Sequence, residues 1–336
     1  MPSTLPNTQS VFARGLRWFG YICLGLLLVG VLLAIAGAVY QAVATNNEEV
    51  LRPPGTLVDI GGTRLHIRCT GSSRTSDVTV ILESGLSSTT DAWAKVQNTL
   101  EKSVRVCSYD RAGIGWSDPS NSPRDGETIV TELHELLDKS GFRGRLVLVG
   151  HSSGGLYVRA FAAKYPAQVA ALALLDASHE DQWGRAPNDS RDYNMIRSAY
   201  TLLPVAARLG LVRLTALCRL PEDFPDEAKK SYHARCSRTA SWYAAKEELR
   251  LLPQTMDSLR DVKLGTTPLV VVSAGNDPQN PPNWPELQKR LTLLSSNSTH
   301  LIIPEATHPG LLLDSAHAKR SSEAILALLQ RVSRTD

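Results

Sequence analysis

Arg145-Leu146-Val147-Leu148-Val149-Gly150-His151-Ser152-Ser153-Gly154 is the stretch on which the fold turns. Leu146–Val149 is a short unbroken apolar run ending at a glycine, which reads as a buried strand. Gly155–Tyr165, directly after it, reads as a helix. The chain therefore passes from strand to helix through Gly-x-Ser-x-Gly, an elbow at which the glycines let the backbone turn sharply and Ser152 projects its hydroxyl. The pattern alone is weak, because three fixed positions at ~7% each give roughly a 10% accidental occurrence in a chain of this length. Its position between a strand and a helix gives it weight.

Outward from the elbow the chain alternates. Strands are expected at Thr56–Ile60, Arg64–Cys69, Val78–Leu82, Val104–Tyr109, Leu146–Val149, Ala171–Leu175, Leu269–Ser273 and His300–Pro304. Helices are expected at Asp91–Leu100, Thr128–Lys139, Gly155–Tyr165 and Ser315–Val332. Gly61-Gly62 between the first two strands signals a hairpin. The later strand–helix rhythm implies right-handed crossovers and a mostly parallel sheet covered on both faces by helices, an α/β fold. The rhythm breaks between Asp176 and Leu269, where helical patterning with several Trp and Tyr replaces strands. That segment, about 178–264, is expected to form a helical cap over the strand ends.

Two further motifs lie on strand ends: Glu83-Ser84-Gly85-Leu86 after the third strand, and Tyr109-Asp110-Arg111-Ala112-Gly113-Ile114-Gly115-Trp116-Ser117 after the fourth. With the elbow, they make the region from about Leu57 to Val332 resemble the α/β-hydrolase superfamily, of the serine-nucleophile type with a cap inserted after the sixth strand. The resemblance implies an eight-stranded sheet and a triad in the order Ser, acid, His. Ser152 is then the nucleophile, and Asp277 and His308, each just past a strand's carboxyl end, are the expected acid and base. Asp176, which ends the sixth strand on the same edge, is the alternative acid, since some family members carry it there. The resemblance also implies an oxyanion hole from the backbone N–H groups of Leu86 and Ser153. Glu83 marks a departure from the family, many of whose members carry His-Gly where this chain has Ser84-Gly85. Asp110 and Arg111 are expected to brace their turn, and Glu83 to hydrogen-bond the oxyanion turn. His179, Trp183, Trp242 and Tyr243 are cap residues that either face substrate or pack.

The implied function is a serine hydrolase cleaving a carboxylic ester through an acyl-enzyme, with a small ester-like substrate and no cofactor. A serine at the elbow argues against epoxide or haloalkane hydrolysis, which in related folds normally uses an aspartate nucleophile. An acyltransferase or an amide or thioester hydrolase on the same triad, and a catalytically silent binding protein, are the alternatives.

The front of the chain is different in kind. Trp18–Tyr40 contains no charged residue, and at roughly 1.5 Å per residue its helix would span a ~30 Å hydrocarbon core. Arg14 and Arg17 precede it and Glu48 and Glu49 follow. The positive-inside rule thus puts residues 1–17 in the cytoplasm, a single-pass signal anchor at 18–44, a linker at 45–54 and the domain 55–336 outside. A secreted form cleaved near Ala42-Val43-Ala44 is the alternative. Membrane lipid is thus an expected partner through this helix. Four of the five cysteines fall on the far side, and a Cys218–Cys236 bridge is expected there. The 336 residues carry 36 Lys and Arg against 33 Asp and Glu, with no basic run, which sets nucleic acid aside. No Cys-x-x-Cys or paired-histidine spacing suggests a metal.

Overall fold

One sheet of eight strands carries the domain: β1 (Thr56–Asp59), β2 (Arg64–Thr70), β3 (Val78–Glu83), β4 (Arg105–Tyr109), β5 (Arg145–His151), β6 (Val169–Leu175), β7 (Leu269–Ala274) and β8 (Ser298–Ile303). A computed structural model describes residues 8–72, 78–142 and 144–333 of the chain. The first seven residues of the expected cytoplasmic segment and the last three of the domain lie outside the described residues. The strand order is β1-β2-β4-β3-β5-β6-β7-β8. β2 runs antiparallel to both β1 and β4, and every other pairing is parallel.

Ten helices accompany it among the described residues: α1 (Thr8–Glu48), α2 (Ala94–Leu100), α3 (Gly126–Lys139), α4 (Gly154–Lys164), α5 (Arg191–Arg208), α6 (Asp226–Cys236), α7 (Thr239–Ser258), α8 (Trp284–Leu291), α9 (Gly310–Leu313) and α10 (Ser315–Ser333). Side chains alternate across the strands, so each strand feeds two cores. Val78, Val80, Leu82, Val147 and Val149 pack with α2 and α10 through Val96, Leu100, Ile325 and Leu328. Ile81, Leu146 and Leu148 pack on the opposite face with Leu133, Leu137, Val158 and Phe161 of α3 and α4. Burial on both faces explains why these strands are continuous apolar runs.

Residues between β6 and β7 form α5, α6 and α7 with short turns, and no strand, among the described residues. Cys218 and Cys236 are bridged within this cap. Cys69 and Cys107 are bridged as well; they lie directly opposite one another in the β2–β4 ladder.

The expected linker at 45–54 is partly helix, because α1 continues to Glu48. Contacts with the cap account for this. The Gln41 side-chain amide donates to Ser237 O at 3.0 Å and accepts from Arg213 Nε at 2.7 Å. Arg213 grips both Glu48 carboxylate oxygens, at 2.5 and 2.7 Å, and Arg235 donates to the Glu48 carbonyl. Gly37 is pressed on Leu209, where a Cβ would lie 2.4 Å from the carbonyl oxygen, so only glycine allows this approach.

A second strut joins sheet and cap at Asp91. Its buried carboxylate accepts from Ser231 Oγ of α6 at 2.7 Å, and Ser231 accepts in turn from the Trp116 indole. Burial pushes the Asp91 carboxyl up to about 7, with neighbouring Asp110 adding to the rise and the Ser231 hydrogen bond opposing it. Between the ordinary carboxylate value of 3.8 and about 7 the folded chain therefore holds a proton that the unfolded chain has released, so stability falls as pH rises through that window. Asp91→Asn should remove this slope. Thermal melts should show the variant gaining on the native protein more at about pH 8 than at about pH 5; an equal difference at both would mean that Asp91 folds as a carboxylate.

Candidate active site

The elbow closes as its glycines demand. A Cβ at Gly150 would meet Gly154 O at 2.6 Å, and one at Gly154 would meet Glu83 O at 2.5 Å. Ser152 itself has φ 56°, in the left-handed region. Its N–H donates to Leu175 O of β6, and its carbonyl accepts from Ser178 and Gly155. Among the described residues only Ser87, Ser152 and Asp176 are non-glycine residues with positive φ, at 59°, 56° and 41°. Ser152 and Asp176 directly follow β5 and β6, and Ser87 lies in the turn after β3 between Leu86 and Ser88, two residues of the cavity wall. Each such conformation costs on the order of 1–3 kcal/mol and persists only where the surroundings over-determine it.

Ser152 and His308 both wall a cavity of about 450 Å³ and a second, adjoining lobe of about 400 Å³. The first lobe is lined mainly by apolar and aromatic side chains, among them Leu86, Ile196, Tyr200, Leu249, Leu252 and Leu312. The second is more polar, with Asp192, Asp277, Gln279 and Asn280. Gly85 stands against Ser152, where a Cβ would lie 2.9 Å from Ser152 Cβ. Among the described residues neither the Leu86 nor the Ser153 amide donates a hydrogen bond within the protein. Both remain available to an oxygen bound at Ser152.

The carboxylate beside the His308 imidazole is Asp176, the alternative expected from the sequence, and not Asp277. His308 Nδ1 is 2.6 Å from Asp176 Oδ2, not from Asp277. Asp277 instead accepts from the backbone N–H groups of His308, at 2.6 Å, and of Gln279. It fixes the loop that carries the histidine, not the imidazole. The reason is where each carboxylate points. Asp176 turns at φ 41° immediately after β6 and lays its carboxylate across the end of β7, where Ala274 N–H and the Trp284 indole donate to Oδ1. Burial alone would raise this carboxyl, but hydrogen bonds from His308, Trp284 and the Ala274 amide outweigh it and hold it below the usual carboxylate range. An anion so placed favours Nδ1 of His308 as the protonated nitrogen and leaves Nε2 with its lone pair free.

His151 stacks beside His308, with ring centroids 4.5 Å apart, and its Nε2–H donates to the His308 carbonyl at 3.0 Å. Burial and the neighbouring His308 push it down to about 3, so it stays neutral and packs.

Behind the oxyanion turn lies a buried ionic cluster. Arg111 is bound to Glu83 at 2.6 Å and bidentately to Glu248 of α7 at 2.8 Å, and it also donates to the Ser84 and Gly85 carbonyls at 2.7 and 2.9 Å. The Tyr109 hydroxyl donates to the other Glu83 oxygen. Burial raises the Glu83 carboxyl against the opposing charge of Arg111. Glu83 thus acts on the turn through Arg111. Asp110 does not pair with Arg111: it accepts from His66 Nδ1 at 2.9 Å and from the Thr90 and Trp116 amides. Of the cap residues singled out earlier, Trp183 lines both lobes. Trp242 is cap core, Tyr243 is exposed, and His179 is buried, accepting from the Asp181 amide. Tyr200, which had drawn no attention, walls the cavity and reaches Ser87 Oγ at 3.3 Å; its place on α5 gave no sign of this in sequence. The described residues contain no cluster of metal-ligating side chains.

A family described as the alpha/beta hydrolase fold matches residues 78–315. An uncharacterised protein of Schizosaccharomyces pombe is 25% identical over 298 residues, covering 79% of this chain and 54% of the relative, so the chain spans about half of that relative's length. A thermophilic esterase from Thermogutta terrifontis shares the fold with a TM-score of 0.63 at 24% identity, over 82% of this chain and 97% of the esterase. The epoxide hydrolase VrEH1 from Vigna radiata does so with a TM-score of 0.66 at 15% identity, over 82% and 97%.

Two variants test the geometry. Asp176→Asn should lower kcat roughly 10³–10⁴-fold with little change in stability, while Asp277→Asn should cost far less; the reverse order in steady-state kinetics would return the acid role to Asp277. Arg111→Met leaves two buried carboxylates without their cation and should cost about 3–5 kcal/mol in denaturant unfolding. Arg111→Lys should recover little of it, because an ammonium cannot reproduce the bidentate fork.

Proposed function

The chain belongs to the α/β-hydrolase family, and on that premise we propose that it is a membrane-anchored serine hydrolase that cleaves a carboxylic ester through an acyl-enzyme. The observation that carries the reading is the 2.6 Å contact of His308 Nδ1 with a buried, ionised Asp176, on a histidine that shares a cavity wall with Ser152. In this reading His308 Nε2 takes the proton of Ser152 Oγ as the oxygen attacks the ester carbonyl carbon. Negative charge moves to the carbonyl oxygen, which the Leu86 and Ser153 N–H groups receive. As the tetrahedral intermediate collapses, the carbon–oxygen bond to the alcohol breaks and His308 returns the proton to the departing oxygen. Water then repeats the sequence on the acyl-enzyme, with His308 as base, and releases the acid. Asp176 stays ionised and stabilises the imidazolium at each stage.

The two lobes suit the two halves of such a substrate. The apolar lobe is fitted to an acyl chain and the polar lobe to a small leaving alcohol. A serine nucleophile is the argument for an ester over an epoxide, despite the fold shared with an epoxide hydrolase. The uncharged helix Trp18–Tyr40, basic before and acidic after, supports a single-pass anchor with the domain outside the cytoplasm. Two disulfides favour the same side.

A fluorophosphonate probe applied to the full chain in detergent tests the chemistry. The native protein should label and Ser152→Ala should not. Equal labelling of a folded Ser152→Ala protein would move the nucleophile elsewhere, and a folded native chain that does not label would overturn the reading.

A further inference from the structure

The cap carries an apolar face that nothing within the described chain covers. Met195, Leu202 and Val205 of α5 and Leu211, Leu214 and Leu217 of the turns after it are all exposed, Leu214 by 70% and Leu202 by 68%. Clustered exposure of this kind marks a contact surface rather than ordinary surface scatter. The face is continuous with α1, because the segment holding it is the one that α1 grips through Gly37–Leu209, Gln41 and Glu48–Arg213.

Helix geometry then fixes its depth. Gly37 lies 20 residues beyond Arg17, the last charge before the apolar run, and 20 residues at 1.5 Å give about 30 Å, the thickness of a hydrocarbon core. Leu209 therefore stands at the level where α1 leaves the lipid, and Arg213, held by Gln41 and Glu48 one to three turns further along α1, stands toward the headgroups. The charges around them fit that level. From Arg191 to Leu220 the chain has one acidic residue, Asp192, and four exposed arginines at 191, 197, 208 and 219. The fifth arginine, Arg213, is occupied by Glu48. Exposed leucines flanked by exposed arginines match the acyl boundary and phosphate groups of a lipid leaflet.

We propose that this face of the cap is seated in the leaflet on the domain's side of the membrane, so that the cavity receives lipid-dissolved esters from the bilayer. The proposal rests on the anchor reading above. The same helix that carries the outward leucines also walls the cavity: Ile196 and Tyr200 line the apolar lobe, and Met195 belongs both to the exposed face and to the wall of the second lobe. The opening therefore borders the lipid-facing surface.

Spin labels on the full chain test this in vesicles of phosphatidylcholine with phosphatidylglycerol. In a Cys23→Ser background, single labels are placed at Leu202→Cys and Leu214→Cys, with Val29→Cys as an anchor control and Lys319→Cys as an aqueous control. Collision with oxygen and with a water-soluble nickel chelate reports depth. The expected result is that 202 and 214 resemble 29: open to oxygen and closed to the chelate. If 29 is in lipid but 202 and 214 meet the chelate as 319 does, the proposal falls and the anchor stands. If 202 and 214 are closed to both probes, protein covers the face, either a second copy or a partner, and the proposal also falls. If 29 meets the chelate, the anchor reading fails and the proposal falls with it. For substrate delivery, Leu202→Glu with Leu214→Glu should lose roughly tenfold or more in turnover of a vesicle-dissolved long-chain ester while keeping turnover of a short water-soluble ester. Equal turnover of both esters would overturn delivery from the bilayer.

Discussion

Three left-handed residues set the terms for the whole carboxyl edge of the sheet. Ser87, Ser152 and Asp176 each hold a backbone that favours glycine, and each needs a side chain that glycine lacks. The sheet is what makes this tolerable. Ser152 N–H is bonded to Leu175 O and Asp176 N–H to Val272 O, so neighbouring strands clamp the strained positions. Relaxing either residue would break a bond in the buried core. The strain at the edge is thus held by the packing beneath it, and the serine and carboxylate are aimed before any substrate arrives.

Electrostatics do the same for the oxyanion turn. Arg111 holds two backbone carbonyls of that turn with one face of its guanidinium fork and a carboxylate of the cap with the other. Five donors in a rigid plane suit this task. The arrangement makes cap position and oxyanion geometry a single problem: a shift of α7 would be felt at Gly85 through two hydrogen-bonded contacts. Glu83 is a second carboxylate on one buried cation, and burial together with the nearby Glu248 charge raises its carboxyl while Arg111 and the Tyr109 hydroxyl oppose that rise.

The sheet, the elbow and the helical insertion were legible in the sequence because each leaves a local trace, in periodicity, in glycine placement or in the absence of strand patterning. The choice between Asp176 and Asp277 was not. Both follow strand ends, and what separates them is the φ of Asp176 and donors brought from Ala274 and from Trp284 on α8, about a hundred residues further on. The Cys69–Cys107 bridge was equally hidden. Its 38-residue separation says nothing, and the pair becomes adjacent only once β2 has paired antiparallel with β4. Cap aromatics illustrate the same limit: Trp242 is buried in the cap and Tyr243 is exposed, although the two are neighbours in the sequence, and Trp183 reaches the cavity from a different stretch.

The grip of Arg213 on Glu48 has a mechanical side. The stretch from α5 to α6 is moored near its middle by α1, through that bidentate pair and Gln41, and stapled internally by the Cys218–Cys236 bridge. Beyond it α7 is tied to Arg111 and, through Thr255, to the start of α3. Movement of the cap as one body would therefore break the Arg213–Glu48 and Arg111–Glu248 pairs together, whereas Trp183 and Met195, which line the cavity, turn as single side chains on the time scale of rotamers.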